Sequence, residues 1–142
     1  MEKISEAMLI EHQRLYNLLE RLEKNLDGND KNWKELFNEF KWNLEKHFFV
    51  EEKAIFDLCN SDCGERIPEI FDLMKEHGEI IYLMNEIDDE LDDNLKKNLL
   101  EIKRMLIKHS NSEDESFYPL LDEELSEERK LEILSRIKEI VH

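Results

Sequence analysis

Apolar residues recur along the chain at spacings of three and four, the period of an α-helix with one buried face. Ile4, Met8, Ile10, Leu15, Leu18, Leu19 and Leu22 form such a stripe in the first segment. Asp27-Gly28-Asn29-Asp30 interrupts it, with Gly28 suited to a helix end and Asp30 to the N-cap of the next helix. A second stripe runs through Trp33, Leu36, Phe37, Phe40, Leu44, Phe48, Ile55 and Phe56 and ends near Cys59. Asn60 to Arg66 reads as loop, and Pro68 suits the first turn of a third helix. That helix carries Ile70, Phe71, Leu73, Met74, Ile80, Ile81, Met84 and Ile87, and Asp92-Asp93-Asn94 marks the next break. The fourth stripe is Leu95, Leu99, Ile102, Met105 and Leu106, leading into Phe117-Tyr118-Pro119. Ser126 has the character of an N-cap for a short fifth helix, with Glu127 and Glu128 near its positive end.

Long helical stretches joined by short breaks predict an all-α fold, an antiparallel up-down-up-down four-helix bundle with a short additional C-terminal helix. One domain is expected over residues 1–142, the bundle over about 2–122 and the last helix over about 126–142. Composition agrees: three glycines and two prolines in 142 residues are too few for the turns of a β-rich domain. Hydrophobic residues make up 40% and charged residues 39%, which suits helices that each keep one solvated face.

The net charge of −16 narrows the partners. A nucleic-acid backbone or an anionic membrane surface requires clustered positive charge, so neither is expected as a partner. No apolar run approaches the roughly 18 residues of a membrane span. Met1-Glu2-Lys3-Ile4-Ser5-Glu6 has no signal-peptide pattern, and a cytoplasmic location is expected. Cys59 and Cys63 are too few for a disulfide framework and are not spaced as zinc ligands. They are read as free thiols, with a redox-switch disulfide as the alternative.

The chemistry lies in the histidines. Of the five, His12, His47, His77 and His109 fall one on each predicted bundle helix, and the terminal His142 is read as solvated. His47-x3-Glu51 and His109-x3-Glu113 each set an imidazole and a carboxylate one turn apart on one helix face. The surroundings repeat as well. His47, Glu51, Ile55 and Phe56 align without a gap on His109, Glu113, Phe117 and Tyr118 at a constant offset of 62. Glu11-His12 aligns on Glu76-His77 at an offset of 65. The chain is thus two similar helical hairpins, each supplying a histidine and then His-x3-Glu. Paired about a pseudo-twofold axis, they converge on the middle of the bundle.

A single histidine on an apolar helix face is usually a hydrogen-bonded core residue, and one His-x3-Glu pair is often an ordinary surface pair. Four histidines, one per helix, with two equivalent pairs in a repeat, point instead to a metal site: His12, His47, Glu51, His77, His109 and Glu113. Buried without a cation, this group would be costly. Six nitrogen and oxygen donors without thiolate exceed a tetrahedral zinc site, and imidazoles do not suit calcium or magnesium. Iron, manganese, zinc or copper fit. The natural arrangement is two metals bridged by both glutamates, each also held by two histidines. Glu52 lies about 100° around the helix from Glu51, so its loss is expected to matter little.

These motifs resemble the hemerythrin-like (HHE cation-binding) family. The matching residues are His12, His47-x3-Glu51-Glu52-x-x-Ile55-Phe56, His77, and His109-x3-Glu113 followed by Phe117-Tyr118-Pro119-Leu120, across about residues 5 to 122. The resemblance implies a non-haem di-iron centre in a four-helix bundle, two iron ions with bridging carboxylates and an oxo or hydroxo bridge; manganese and zinc are possible substitutes. Ferritin-like bundles use Glu-x-x-His pairs, which do not occur at these histidines. Oxygen-carrying hemerythrins have a fifth histidine one turn from the third-helix histidine, where this chain has Leu73 and Ile81. The four-His, two-Glu set is more similar to that of the repair-of-iron-centres proteins. Their usual N-terminal cysteine-bearing segment is not among these 142 residues, which leaves the subgroup open.

Around the predicted ligands, Phe48, Phe49, Phe117 and Tyr118 are expected to wall off bulk water. Tyr16, one turn after His12, is either core or able to reach the site. The expected function is binding of, or reaction with, O2, NO or peroxide, in sensing, scavenging or iron-centre repair under stress. A redox enzyme acting on NO or peroxide, a reversible oxygen-binding or storage protein, and a metal-free structural bundle are the alternatives. No nucleophile–base pair for an organic substrate is evident.

Overall fold

The computed structural model describes residues 2–27, 32–59, 64–87 and 93–141. Helix α1 spans Ile4–Asp27. Helix α2 spans Trp33–Val50, widens into a π-helical segment at Glu51–Phe56 and closes with the turn Asp57–Cys59. A short 3-10 turn, Gly64–Arg66, leads into α3, Ile67–Asn85, with Pro68 in its first turn. Helix α4 spans Asp93–Ser112, passes through a second π segment at Glu113–Phe117 and continues as Tyr118–Glu124. Helix α5 spans Glu127–Val141. No strand occurs among the described residues. None of the helices described is long and apolar enough to cross a membrane.

Two apolar clusters fill the bundle. One gathers Ile4, Met8, Val50, Ile55, Phe56, Leu73, Phe117 and Leu121 at one end. The other gathers Leu15, Leu22, Phe40, Leu44, Phe48, Ile80, Met84, Ile102 and Leu106 at the opposite end. Helix α1 passes from the first cluster at Met8 to the second at Leu15, and α2 returns from Leu44 to Val50. Helix α3 goes out again from Leu73 to Ile80, and α4 comes back from Leu106 to Phe117. The helices therefore alternate in direction, as the repeat predicts. His12, His47, His77 and His109 all lie where the chain crosses between the clusters, so a polar layer divides the core.

Helix α5 closes the first end, with Ile133, Leu134 and Ile137 packed into the cluster that holds Phe56 and Phe117. Ser126 caps it as predicted, its Oγ accepting the Arg129 backbone N–H at 3.1 Å. The free N–H groups at the start of α1 are met from across the bundle. Asp122 accepts from the Ile4 and Ser5 backbones at 2.8 and 3.2 Å and from the Ser5 hydroxyl at 2.6 Å.

Several expectations need correction. Ile10 is 59% exposed and Phe71 68%, and Met74 and Phe49 also face outward. The buried face of each helix is narrower than its apolar stripe, because two neighbours and the site layer fill the space that is available. Asp93 begins α4 rather than lying in the break. Cys59 is buried and disulfide-bonded, not a free thiol. The predicted roles of Gly28, Asp30, Cys63, Asp92 and His142 fall outside the described residues.

Candidate metal centre

Each predicted His-x3-Glu pair sits where an α-helix gives way to a π turn. Glu51 and Glu113 open the two π segments. The Asp57 N–H reaches back to the Glu52 carbonyl, and the Tyr118 N–H to the Glu113 carbonyl, each five residues earlier. Such single wide turns occur often at functional sites. Here the widening lets the carboxylate and the residues four and five positions later all face inward. Glu51, Ile55 and Phe56 are buried in one half, and Glu113, Phe117 and Tyr118 in the other.

The structure brings His12, His47, Glu51, His77, His109 and Glu113 together. Every one is buried, and both carboxylates are fully so. Two groups of four possible ligand atoms form, each within 4.8 Å: His12, His47, Glu51 and Glu113, then His77, His109, Glu51 and Glu113. Glu51 and Glu113 belong to both groups. Glu51 Oε1 lies 3.2 Å from His47 Nε2 and 3.0 Å from His77 Nε2. Glu113 Oε1 lies 3.2 Å from His12 Nε2 and 3.5 Å from His109 Nε2. Each carboxylate thus reaches histidines of both hairpins.

The outward ring nitrogens are held by a further set of acids. His12 Nδ1–H donates to Asp114 at 2.9 Å, and His109 Nδ1–H to Glu76 at 2.7 Å. His77 Nδ1–H points to Glu52 at 3.4 Å. A carboxylate in its charged form only accepts, so these contacts place the proton on Nδ1 and turn Nε2 inward. Glu52 was expected to be unimportant because it faces away from Glu51's side. That displacement is what brings it to the outer edge of a neighbouring helix's histidine.

Tyr118 does more than exclude water. Its hydroxyl hydrogen-bonds to Glu51 Oε2 and, at 3.1 Å, to Glu113 Oε2. Phe48 stacks on His77 with ring centroids 3.9 Å apart, and Phe56 lies 5.9 Å from the same ring. Phe117 is one ring further out, edge-on to Phe56 at 5.7 Å. Tyr16 packs beside the second cluster, with its hydroxyl toward Ser110 rather than toward the predicted ligands. It lines a surface groove between α1 and α4 with Leu19, Lys103 and Ile107.

Electrostatics follow from burial and proximity. Burial opposes charge on His12, but hydrogen bonds to Asp114 and Glu113 and the charges of Glu113 and Glu51 prevail, raising it to about 10. Burial likewise opposes charge on His109, and its bonds to Glu113 and Glu51 outweigh it, raising it to about 11. Burial acts against the charged form of Glu51, yet His47 and the hydrogen bonds around it hold the carboxyl well below its usual range. Burial and then the Glu51 charge push Glu113 upward. Burial, then the two glutamates, keep the Tyr118 phenol protonated, well above 10.

The residues fit a pair of cations. His47 Nδ1 is buried with no hydrogen-bond partner, which is costly in a protein interior, and His12 Nε2 and His47 Nε2 turn toward carboxylate oxygens that a second histidine shares. His77 Nε2 and His109 Nε2 lie 3.1 Å apart, so at most one of them can donate to the other. Inward-facing imidazole nitrogens and shared carboxylates are what first-row transition metals take.

The family model for the hemerythrin HHE cation binding domain matches residues 3–121, nearly the whole bundle. Searches of curated proteins and of solved structures gave no match.

Proposed function

The chain belongs to the hemerythrin HHE cation-binding domain family, and from that premise we propose that it is a non-haem di-iron protein that binds or reacts with O2, NO or peroxide. The observation that carries the reading is the pair of four-donor groups sharing Glu51 and Glu113. His12 and His47 would hold one iron, His77 and His109 the other, and both glutamates would serve the two. Four protein donors leave each iron short of a full octahedral set, and so able to take a small ligand and exchange electrons with it.

The chain's own residues do the rest. Asp114, Glu76 and Glu52 orient imidazoles from outside. Phe48 and Phe56 cover the His77 ring and exclude water. Tyr118 keeps a proton beside both carboxylates. Roles in sensing, scavenging or iron-centre repair during stress fit this chemistry. Catalytic turnover of NO or peroxide is the second reading, and the Tyr118 phenol favours it by offering a protic group at the centre. Manganese or zinc is a possible substitute for iron.

Elemental analysis of protein produced with iron supplied tests the reading. About two iron ions per chain are expected, with a rise in melting temperature on loading, because metal binds only the folded arrangement. One metal per chain, or none, would overturn it. Consumption of NO or peroxide well beyond the iron present would favour the enzyme.

A further inference from the structure

The acids around the histidines follow the twofold repeat at every position but one. Glu52 and Asp114 are equivalent, 62 residues apart, and each meets the Nδ1 of a histidine in the other hairpin. Glu76 stands immediately before His77 and meets His109 Nδ1 within its own hairpin. Its equivalent is Glu11, immediately before His12, and the histidine it should meet is His47. His47 Nδ1 is instead buried with no partner. Glu11 pairs with Arg14 at 3.3 Å, one turn along α1.

We propose that Glu11 is the positioning residue of His47, its carboxylate accepting the Nδ1–H as Glu76 accepts that of His109, and that Arg14 competes for it. The inference rests on the reading of His47 as a metal ligand. Glu11 is well placed to exchange partners. Its side chain is 17% exposed, whereas that of Arg14 is 56% exposed. Helices α1 and α2 pack side by side as α3 and α4 do. An ion pair with so exposed a partner is weak, whereas a buried ring nitrogen left without a partner is costly. A carboxylate on the outer nitrogen fixes the imidazole's tautomer and orientation and makes it a better ligand. A cation held at His47 Nε2 leaves the ring's proton on Nδ1, where Glu11 is placed to accept it in exchange for Arg14.

Zinc(II), which is diamagnetic, is the probe. Zinc affinity is measured by chelator competition for the native protein and for Glu11→Gln, Glu76→Gln and Arg14→Gln, with nitrogen-15 NMR of the histidine rings. Glu11→Gln and Glu76→Gln are each expected to weaken zinc about 10-fold. Glu11→Gln should shift the His47 Nδ1–H signal, and Glu76→Gln that of His109. Arg14→Gln, which frees Glu11, should bind at least as tightly as the native protein. Native affinity and an unmoved His47 signal in Glu11→Gln, with Glu76→Gln weakened, would overturn the proposal and leave the metal reading intact. So would an Arg14→Gln loss as large as that of Glu11→Gln, since the Glu11–Arg14 pair would then be what matters. Failure of zinc to bind the native protein would overturn both.

Discussion

Tyr118 and Phe56 occupy equivalent positions 62 residues apart in the two hairpins, and the hydroxyl that separates them is bonded to both central carboxylates. Both rings are buried. The two halves of the site therefore differ chemically although their predicted ligands match. Tyr118→Phe should fit sterically, as Phe56 does in the other half. It removes hydrogen bonds to charged groups, and the metal-free protein should lose about 1–3 kcal/mol of stability. Denaturant unfolding measures this. Metal content should stay unchanged, since the phenol remains protonated and is not counted among the ligands. A Tyr118→Phe protein that holds only half the native iron would show that the phenol itself is a ligand.

The shared carboxylates and their outer neighbour should behave differently. Glu51 approaches His47 and His77, and Glu113 approaches His12 and His109, so each serves both hairpins. Glu51→Ala and Glu113→Ala should each deplete both metals. Glu52→Ala removes a 3.4 Å contact to the outer nitrogen of His77. It should weaken binding about 10-fold without changing the stoichiometry. Metal analysis after dialysis against a graded chelator series separates these outcomes. Equal losses for Glu52→Ala and Glu51→Ala would mean that Glu52, and not only Glu51, faces the metals.

The four long helices, their directions and the convergence of six side chains were all legible from apolar spacing and the His-x3-Glu repeat. The outer acids were not. Glu52, Glu76 and Asp114 are three of 36 acidic residues, and their work depends on which neighbouring helix each one faces. Periodicity locates a side chain on its own helix and says nothing about that neighbour. The π turns were hidden for a related reason, since a window fitted to 3.6 residues per turn averages over one wide turn. Pro119 was the available signal: a proline deep in the fourth stripe has no N–H for the helical ladder, so the ladder has to change there. From sequence Tyr118 reads as apolar wall, because its hydroxyl partners, Glu51 and Glu113, come from two different helices.

Metal loading should release protons at neutral pH. His12, at about 10, and His109, at about 11, are charged at pH 7 in the metal-free fold. Both are raised above the unfolded value near 6.5, so their contribution to stability is complete below that pH. It fades as pH rises through 10 and 11. A ligating imidazole must give up its Nε2 proton, so apparent metal affinity should rise with pH across the neutral range. Titration calorimetry in buffers of differing ionisation enthalpy should count about two protons released per fully loaded chain. Loading with no proton release would mean that both rings are already neutral.

Leu73 and Ile81 stand one turn either side of His77, where an oxygen-carrying relative has its additional histidine. Leu73 is buried in one apolar cluster and Ile81 packs against the other, so neither position offers a donor atom. A reversible carrier needs one metal saturated by protein, so that dioxygen meets a single open position and departs unchanged. Here the two four-donor groups carry equal numbers of histidines and share both carboxylates. Both metals should then stay open to small ligands, and oxidation should win over release. The protein is expected not to be a durable oxygen carrier. The check is to reduce the iron-loaded protein anaerobically, expose it to O2, then sweep with inert gas while following the optical spectrum. Failure to regain the reduced spectrum without added reductant is the expected result. Full return of that spectrum on sweeping, over repeated cycles, would sink the prediction and require a further protein donor at one metal, for which Tyr118, already on both carboxylates, would be the first residue to replace.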